Sequence, residues 1–382
     1  MQQRCKYSKQ CGGCDYQGIE YKEQLKKKLN KINSLIGSII KVETIVGMND
    51  PYHYRNKVNA AFRRLKNGEI ISGVYKEGTH ALVAIDSCQI EDELADNIIA
   101  SVRKLAKSFK LQIYDEDRRT GVLRHVMVRR GFTTGQVMVV LVTGTPVFPS
   151  KNNFCKELKK LHPEITTIVQ NINDKRTSMV LGDKENVILG KGYIEDILCG
   201  HKFKLSPKSF YQINSYQTER LYNKAIEYCD FKGDEIVLDA YCGIGTIGIS
   251  ASSHVKEVLG VELNKAAVKD AIVNAKLNNI TNVKFICEDA SSYMVKLASK
   301  GEKIDTVIMD PPRTGSDEKF LSSLVTLAPS KVVYVSCGPE TLARDLKYLV
   351  KHGYEVKKAI CYDMFCFTEH VETVVLMSKK DK

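Results

Sequence analysis

From about residue 211 the chain alternates short apolar, β-branched runs with helical stretches, and no other feature of the sequence restricts its fold so tightly. The runs are 235–241, 257–263, 283–287, 305–310 and 331–336, each the length of a strand buried on both faces. Strands separated by helices pair in parallel, because a parallel pair needs the long crossover that a helix supplies. Two last runs, 354–361 and 372–378, have no clear helix between them and predict a closing hairpin. In an open sheet of this kind ligands bind at the carboxyl ends of the strands, so function is sought just after each run.

Four of the run ends, and the start of the last run, carry candidate groups. The first run leads into Val237-Leu238-Asp239-Ala240-Tyr241-Cys242-Gly243-Ile244-Gly245-Thr246-Ile247-Gly248, a strand entering a glycine loop and then a helix in the G-x-G-x-x-G pattern. Glu262 ends the second run, 23 residues after Asp239. A carboxylate there can accept both ribose hydroxyls of NAD or of S-adenosylmethionine (AdoMet). The fourth run ends in Asp310-Pro311-Pro312-Arg313. The prolines fix φ and make a rigid lip, an arrangement typical of methyltransferases acting on bases; a plain turn is the alternative. The fifth ends in Ser336-Cys337, before Gly338-Pro339. A lone cysteine is more often a small apolar filler than a nucleophile, so its meaning depends on its neighbours. Glu372, at the start of the last run, could serve it as general base, or simply be a polar strand start.

The N-terminal sequence is different in kind. Residues 1–60 hold 11 Lys/Arg and 5 Asp/Glu, which is half of the net charge of +12 in about a sixth of the chain. That balance suggests a polyanionic partner, nucleic acid first, against an indifferent basic surface. Leu25, Leu29, Ile32 and Ile36 predict one stripe of an amphipathic helix over 18–36, with Lys22, Lys26, Lys27, Lys28 and Lys31 largely off it. That basic face is either solvated or in contact with phosphates. The opening residues lack the apolar core of a signal peptide and no run reaches the length of a membrane span, so a cytoplasmic location is expected. Cysteines there stay reduced, and clusters of them suggest metal or catalysis. Cys5, Cys11 and Cys14 form C-x5-C-G-G-C, with Cys88 the best fourth ligand. Four thiolates suit a [4Fe–4S] cluster or structural zinc. Zinc usually shows two close pairs, whereas three-plus-one resembles a cubane; unligated thiols are the remaining alternative. Residues 52–200 predict mostly β structure, with hairpins at 58–75 and 122–143 and helices at 91–109 and 152–161. Arg124, His125, Arg129 and Arg130 fall on both faces of their strand, so alternation identifies no RNA face.

Together these residues resemble the RNA uracil-C5 methyltransferase family, in particular its iron–sulfur 23S rRNA members. The likeness runs essentially end to end. It includes the cysteine triplet with Cys88, Ser209-Phe210-Tyr211-Gln212-Ile213-Asn214, the glycine loop, Asp310-Pro311-Pro312-Arg313, Ser336-Cys337 and His370-Val371-Glu372. The resemblance implies an α/β chain in three parts. These are an iron–sulfur segment over 1–90, whose helix 18–36 packs on the catalytic domain, a mostly antiparallel β domain over 50–205 that binds RNA, and a Rossmann-like class I methyltransferase domain over 206–382. It implies AdoMet bound by Gln212, Tyr241, Thr246, Glu262, Asp289 and Asp310, a cluster held by Cys5, Cys11, Cys14 and Cys88, and Phe210 near the target base. Cys337 is the implied nucleophile and Glu372 the implied base. The implied substrate is a single-stranded or loop region of 23S rRNA, where an unstacked base can be extruded. The enzyme is expected to be a monomer without a membrane partner. The same chemistry on tRNA is the main alternative, although tRNA members usually lack the cluster cysteines; an NAD-dependent oxidoreductase and a non-catalytic RNA-binding protein are remoter. The chain departs from the family pattern in three places. Gly338 stands where Asn is frequent, and Phe365-Cys366-Phe367-Thr368 where Phe-Pro-x-Thr is frequent. Many relatives also begin with an RNA-binding β-barrel, whereas this chain opens at the cysteine triplet, so binding is expected to rest on the cluster segment and the basic surface.

Overall fold

A computed structural model of the protein describes residues 4–76, 78–79 and 81–380. It divides into two compact units. The first comprises the chain through Gly18, Pro51–Ile197 and Lys204–Lys208; the second comprises Ile19–Asp50, Leu198–Phe203 and the chain from Ser209 onward. Helix α1 (Tyr21–Ile36) and the short strand β1 (Ile45–Val46) therefore belong to the second unit although they precede the first.

The first unit is built on β2 (Lys57–Arg64), β3 (Ile70–Tyr75), β4 (Leu82–Ala84), α2 (Glu93–Ser108), β5 (Leu123–Arg130), β6 (Val137–Thr143), α3 (Lys151–Leu161), β7 (Ile165–Ile172) and β8 (Lys184–Leu189). Its strands form one sheet in the order β4-β3-β2-β5-β6-β7-β8. The pairs are antiparallel except β6–β7, which α3 connects as a parallel crossover. The sheet is thus mixed, and β6, an unbroken apolar run, is buried along its whole length. Ile98, Ile99 and Val102 of α2 pack with Val126, Val128, Val139 and Leu141 in the core. Three of the four basic residues of β5 lie inside the unit. Arg124, His125 and Arg129 are buried; Arg124 bonds Glu116 at 2.6 Å and the carbonyls of Asn173 and Lys175 at 3.1 and 3.0 Å.

Between the first unit's sheet and the alternating region lies a further strand, β10 (His201–Leu205), paired with β9 (Ile194–Leu198). The second unit then runs through α4 (Ser215–Cys229), β11 (Ile236–Ala240), α5 (Thr246–Ala251), β12 (Glu257–Glu262), α6 (Lys265–Leu277), β13 (Val283–Cys287), α7 (Ala290–Lys300), β14 (Thr306–Met309), α8 (Glu318–Leu327), β15 (Lys331–Ser336), α9 (Pro339–Lys351), β16 (Tyr354–Tyr362) and β17 (Glu372–Lys379). The sheet order is β1-β16-β17-β15-β14-β11-β12-β13. The five alternating strands are parallel, and β17 inserts antiparallel between β15 and β16. This is the Rossmann-like methyltransferase sheet, with β1 added at its edge.

Helix α1 covers this sheet with Ile32 and Ile36, which join the core formed by Leu238, Val307, Val332 and Val375. Its buried row is Gln24, Lys28, Ile32 and Ile36, spaced by four. Lys28 is therefore not on a solvated or RNA-facing surface. It is fully buried, and its charge is met by Asp363 at 2.5 Å.

Candidate active site

The parallel strands all deliver their carboxyl ends to one edge of the sheet. Tyr241 follows β11, Glu262 ends β12, Asp310 follows β14 and Cys337 follows β15. The antiparallel β17 begins at that edge, so Glu372 is brought there by its first residue rather than its last. Ser336 pairs with Thr373 across β15–β17, and the same register carried one step further sets Cys337 against Glu372.

The charges around Cys337 oppose its ionisation. Burial, then the carboxylates of Glu372 and Asp310, push the thiol up to about 12, while Arg313 pulls it down. Glu372 is 2% exposed; burial, then Asp310, raise it to about 8 against the pull of Arg313. Burial raises Asp310 to about 7. Three acids and one guanidinium thus share a small volume, and near neutral pH the thiol and Glu372 hold their protons. Arg313 Nη2 lies 3.3 Å from His370 Nε2, which joins the Asp310 loop to the residues before β17.

The residues expected to hold the cofactor lie on the same edge of the sheet. Tyr241 takes a left-handed backbone (φ 66°), which is strained for a tyrosine, and its hydroxyl is 3.2 Å from Ser316 Oγ. Glu262 Oε2 accepts from Gly243 N at 3.2 Å and Oε1 from Asn264 N at 2.7 Å, and each oxygen keeps a lone pair for a ribose hydroxyl. Buried Asp239 accepts from Gly248 N at 2.8 Å. A Cβ at residue 248 would lie 2.8 Å from that carboxylate, so the third glycine of the loop is required for close approach. Thr246 opens α5. Gln212 and Phe210 lie in the segment before α4, Phe210 with 65% of its surface exposed. Asp289 caps α7, accepting from Ser292 N at 2.9 Å.

Several supporting residues escaped the sequence reading. Asp345 of α9 is buried and accepts from Tyr334 Oη at 2.8 Å and from Ser316 N at 3.0 Å. Arg344 donates to the carbonyls of Thr314 and Ser316 at 3.1 and 2.8 Å. The pair clamps the loop that carries Arg313, and through Ser316 it reaches Tyr241. An acid in the buried stripe of Leu342, Leu346 and Leu349 was the available signal. Gly338 also has a local reason. A Cβ there would lie 2.6 Å from Thr341 Oγ1 and 2.8 Å from the Arg313 carbonyl oxygen, so the Arg313 loop leaves little room for a side chain at 338. Cys366 is buried, with Sγ 3.6 Å from Tyr21 Oη and 3.6 Å from the Asp363 carbonyl oxygen.

In the first unit, Cys5, Cys11, Cys14 and Cys88 line one cavity of about 260 Å³ together with Gln17, Arg55 and Glu91. Among the described residues no three His, Cys, Asp or Glu side chains close on a single ion position. Two buried donors of this cavity, Arg55 Nε and Gln17 Nε2, have no hydrogen-bond partner. Among the described residues no helix is long and apolar enough to cross a membrane.

Comparison with known proteins agrees with this geometry. The tRNA (uracil-5-)-methyltransferase family model matches residues 20–380. An uncharacterized RNA methyltransferase of Clostridium tetani is 43% identical over 98% of this chain and 82% of its own length. One from Bacillus cereus is 41% identical over 99% and 83%. Among solved structures, the tRNA (uracil-54, C5)-methyltransferase of Pyrococcus abyssi in complex with S-adenosyl-L-homocysteine superposes with a TM-score of 0.82 at 30% identity, over 96% of this chain and 86% of that one. The chain belongs to the tRNA (uracil-5-)-methyltransferase family, the AdoMet-dependent enzymes that methylate carbon 5 of uracil in RNA.

Proposed function

We propose that the protein makes 5-methyluridine in 23S rRNA by nucleophilic catalysis from Cys337. The observation that carries this reading is the β15–β17 register, which sets one thiol against one carboxyl beside Asp310. Carbon 5 of uracil is a poor nucleophile. With RNA and AdoMet in place the Cys337 thiol gives up its proton to solvent; the thiolate adds to carbon 6, and carbon 5 of the resulting enolate takes the methyl group as its bond to the AdoMet sulfur breaks, leaving S-adenosylhomocysteine. Glu372, pushed up to about 8, acts in its ionised fraction, which as a carboxylate takes the proton from carbon 5. The C–H electron pair becomes the C5–C6 double bond, the carbon 6–sulfur bond breaks, and the thiolate is restored. Gln212, Tyr241, Thr246, Glu262, Asp289 and Asp310 hold AdoMet, and Phe210, exposed before α4, meets the extruded base.

In this reading the cysteine-bearing unit holds a [4Fe–4S] cluster on Cys5, Cys11, Cys14 and Cys88 and binds RNA. The cavity of about 260 Å³ is roomier than one zinc ion with bonds of ~2.3 Å to sulfur needs, and Arg55 and Gln17 offer it N–H donors. The cluster supplies electrostatic and structural support there, and no step above runs through it. A second reading, the same chemistry on a tRNA uridine, is favoured by the likeness to the Pyrococcus abyssi enzyme over nearly the whole chain. Two experiments decide. Cys337→Ala is expected to abolish both methylation and covalent capture of RNA, and full methylation by that variant removes the mechanism. Mapping 5-methyluridine in rRNA and tRNA from cells lacking the protein separates the substrates.

A further inference from the structure

The turn that leads from β16 toward Glu372 is held by other elements of its unit. Glu372 opens β17 opposite Tyr362, the last residue of β16, and Asp363 comes next. Both Asp363 oxygens are taken by α1: Lys28 Nζ is 2.5 Å from Oδ1, and Tyr21 Oη donates to Oδ2 at 2.8 Å. Lys28 also donates to the carbonyl of Phe365 at 3.1 Å, and Tyr21 Oη accepts from Met48 N at 2.9 Å. Lys28 and Asp363 both have side chains that are 0% exposed. The backbone of the same turn is held from α4, where Gln217 Nε2 donates to the Asp363 carbonyl at 3.2 Å and Asn214 Nδ2 to that of Met364 at 3.0 Å.

A buried ion pair is a costly way to join a helix to a loop. Apolar residues of similar volume would do so as well or better, and the gain of a charged pair is a single permitted arrangement. The rest of the buried row of α1 needs no charge, since Ile32 and Ile36 already pack it on the core. The charge falls instead at the turn between Tyr362 and Glu372. We infer that Lys28 and Tyr21, through Asp363, are positioning residues for Glu372: they fix the end of β16 and the turn after it, so that the carboxylate meets the carbon 5 proton of the methylated adduct. The inference rests on Glu372 being the base, and it assigns to the first helix of the chain a part in the last chemical step. A lost clamp leaves Cys337 addition and methyl transfer intact and slows proton removal.

The test uses the full chain, AdoMet, and RNA from cells lacking the protein, labelled with tritium at carbon 5 of uridine. Tritium release reports proton removal, and a denaturing gel reports the covalent protein–RNA adduct. The paired variant Lys28→Met/Asp363→Asn removes both charges and leaves no lone buried ion. Tyr21→Phe removes one hydroxyl and nothing else. Displacing a base by about 1 Å costs on the order of 100-fold. Tritium release is therefore expected to slow by about 100-fold in the paired variant and about 10-fold in Tyr21→Phe, with adduct accumulating in both. Release at the unaltered rate, or adduct and release lost together, would overturn the inference. Glu372→Gln distinguishes the two failures. Trapped adduct there, with normal release in the clamp variants, removes the clamp alone, whereas no trapping in Glu372→Gln removes the base assignment itself.

Discussion

Glu372→Gln should stabilise the protein, and by an amount that grows with pH. The folded carboxyl titrates near 8 and the ordinary value is 4.5. Between those values the folded state holds a proton that the unfolded state has lost, so folding stability falls as pH rises. Each unit of pH costs about 1.4 kcal/mol while that difference lasts. From pH 5.5 to pH 8 this one group removes about 3 kcal/mol, and above pH 8, where both states are ionised, the slope disappears. Glutamine keeps the shape and cannot ionise. The stability of the variant relative to the parent should thus rise by about 3 kcal/mol between pH 5.5 and 8 and then level. Asp310, raised by its own burial, titrates in both proteins, and in the parent its charge is part of what raises Glu372. Urea unfolding followed by circular dichroism suits a chain without tryptophan. Parallel pH profiles for parent and variant would refute the reasoning, because they would mean that Glu372 enters the fold already charged. The gain in stability comes with the loss of the base, so the same substitution should trap the methylated adduct.

Three further outcomes are expected. Glu262→Ala removes the carboxylate held by Gly243 N and Asn264 N and should weaken AdoMet binding by about 10–100-fold, the worth of charged hydrogen bonds, with little change in the melting midpoint; calorimetry with AdoMet checks it, and undiminished affinity counts against the ribose contact. Gly338→Asn puts a Cβ within 2.8 Å of the Arg313 carbonyl oxygen, so turnover should fall while AdoMet binding holds, and full turnover would mean that the Arg313 loop yields freely. Cys88→Ala should lower the iron and sulfide content of anaerobically purified protein, and parental iron content would remove Cys88 as a ligand.

The residues proposed for the reaction stand out in the sequence because each belongs to a short run whose local pattern fixes its place. A strand entering a glycine loop, a strand ending in Asp310-Pro311-Pro312 and a strand ending in Cys337 are each written within a dozen neighbouring residues. Parallel pairing then brings their ends to one edge. The strand order was not written that way. That β17 enters antiparallel beside β15, and so turns Glu372 toward Cys337, depends on which strands pair, and pairing is a property of the folded sheet. The same holds for the supporting shell. Asp345 finds its partners Tyr334 and Ser316 on other elements, which no local pattern pairs with it.

Lys28 marks the boundary between the two kinds of information. Local periodicity determined that residues around it form a basic amphipathic helix, because hydrophobic spacing and helix geometry act within a few residues. It could not determine which of five lysines is buried, since a rotation of the stripe by one residue decides that. The partner that makes burial tolerable, Asp363, lies 335 residues away. A buried charge is stable only where its counter-charge is also buried, and only the tertiary structure brings the two together.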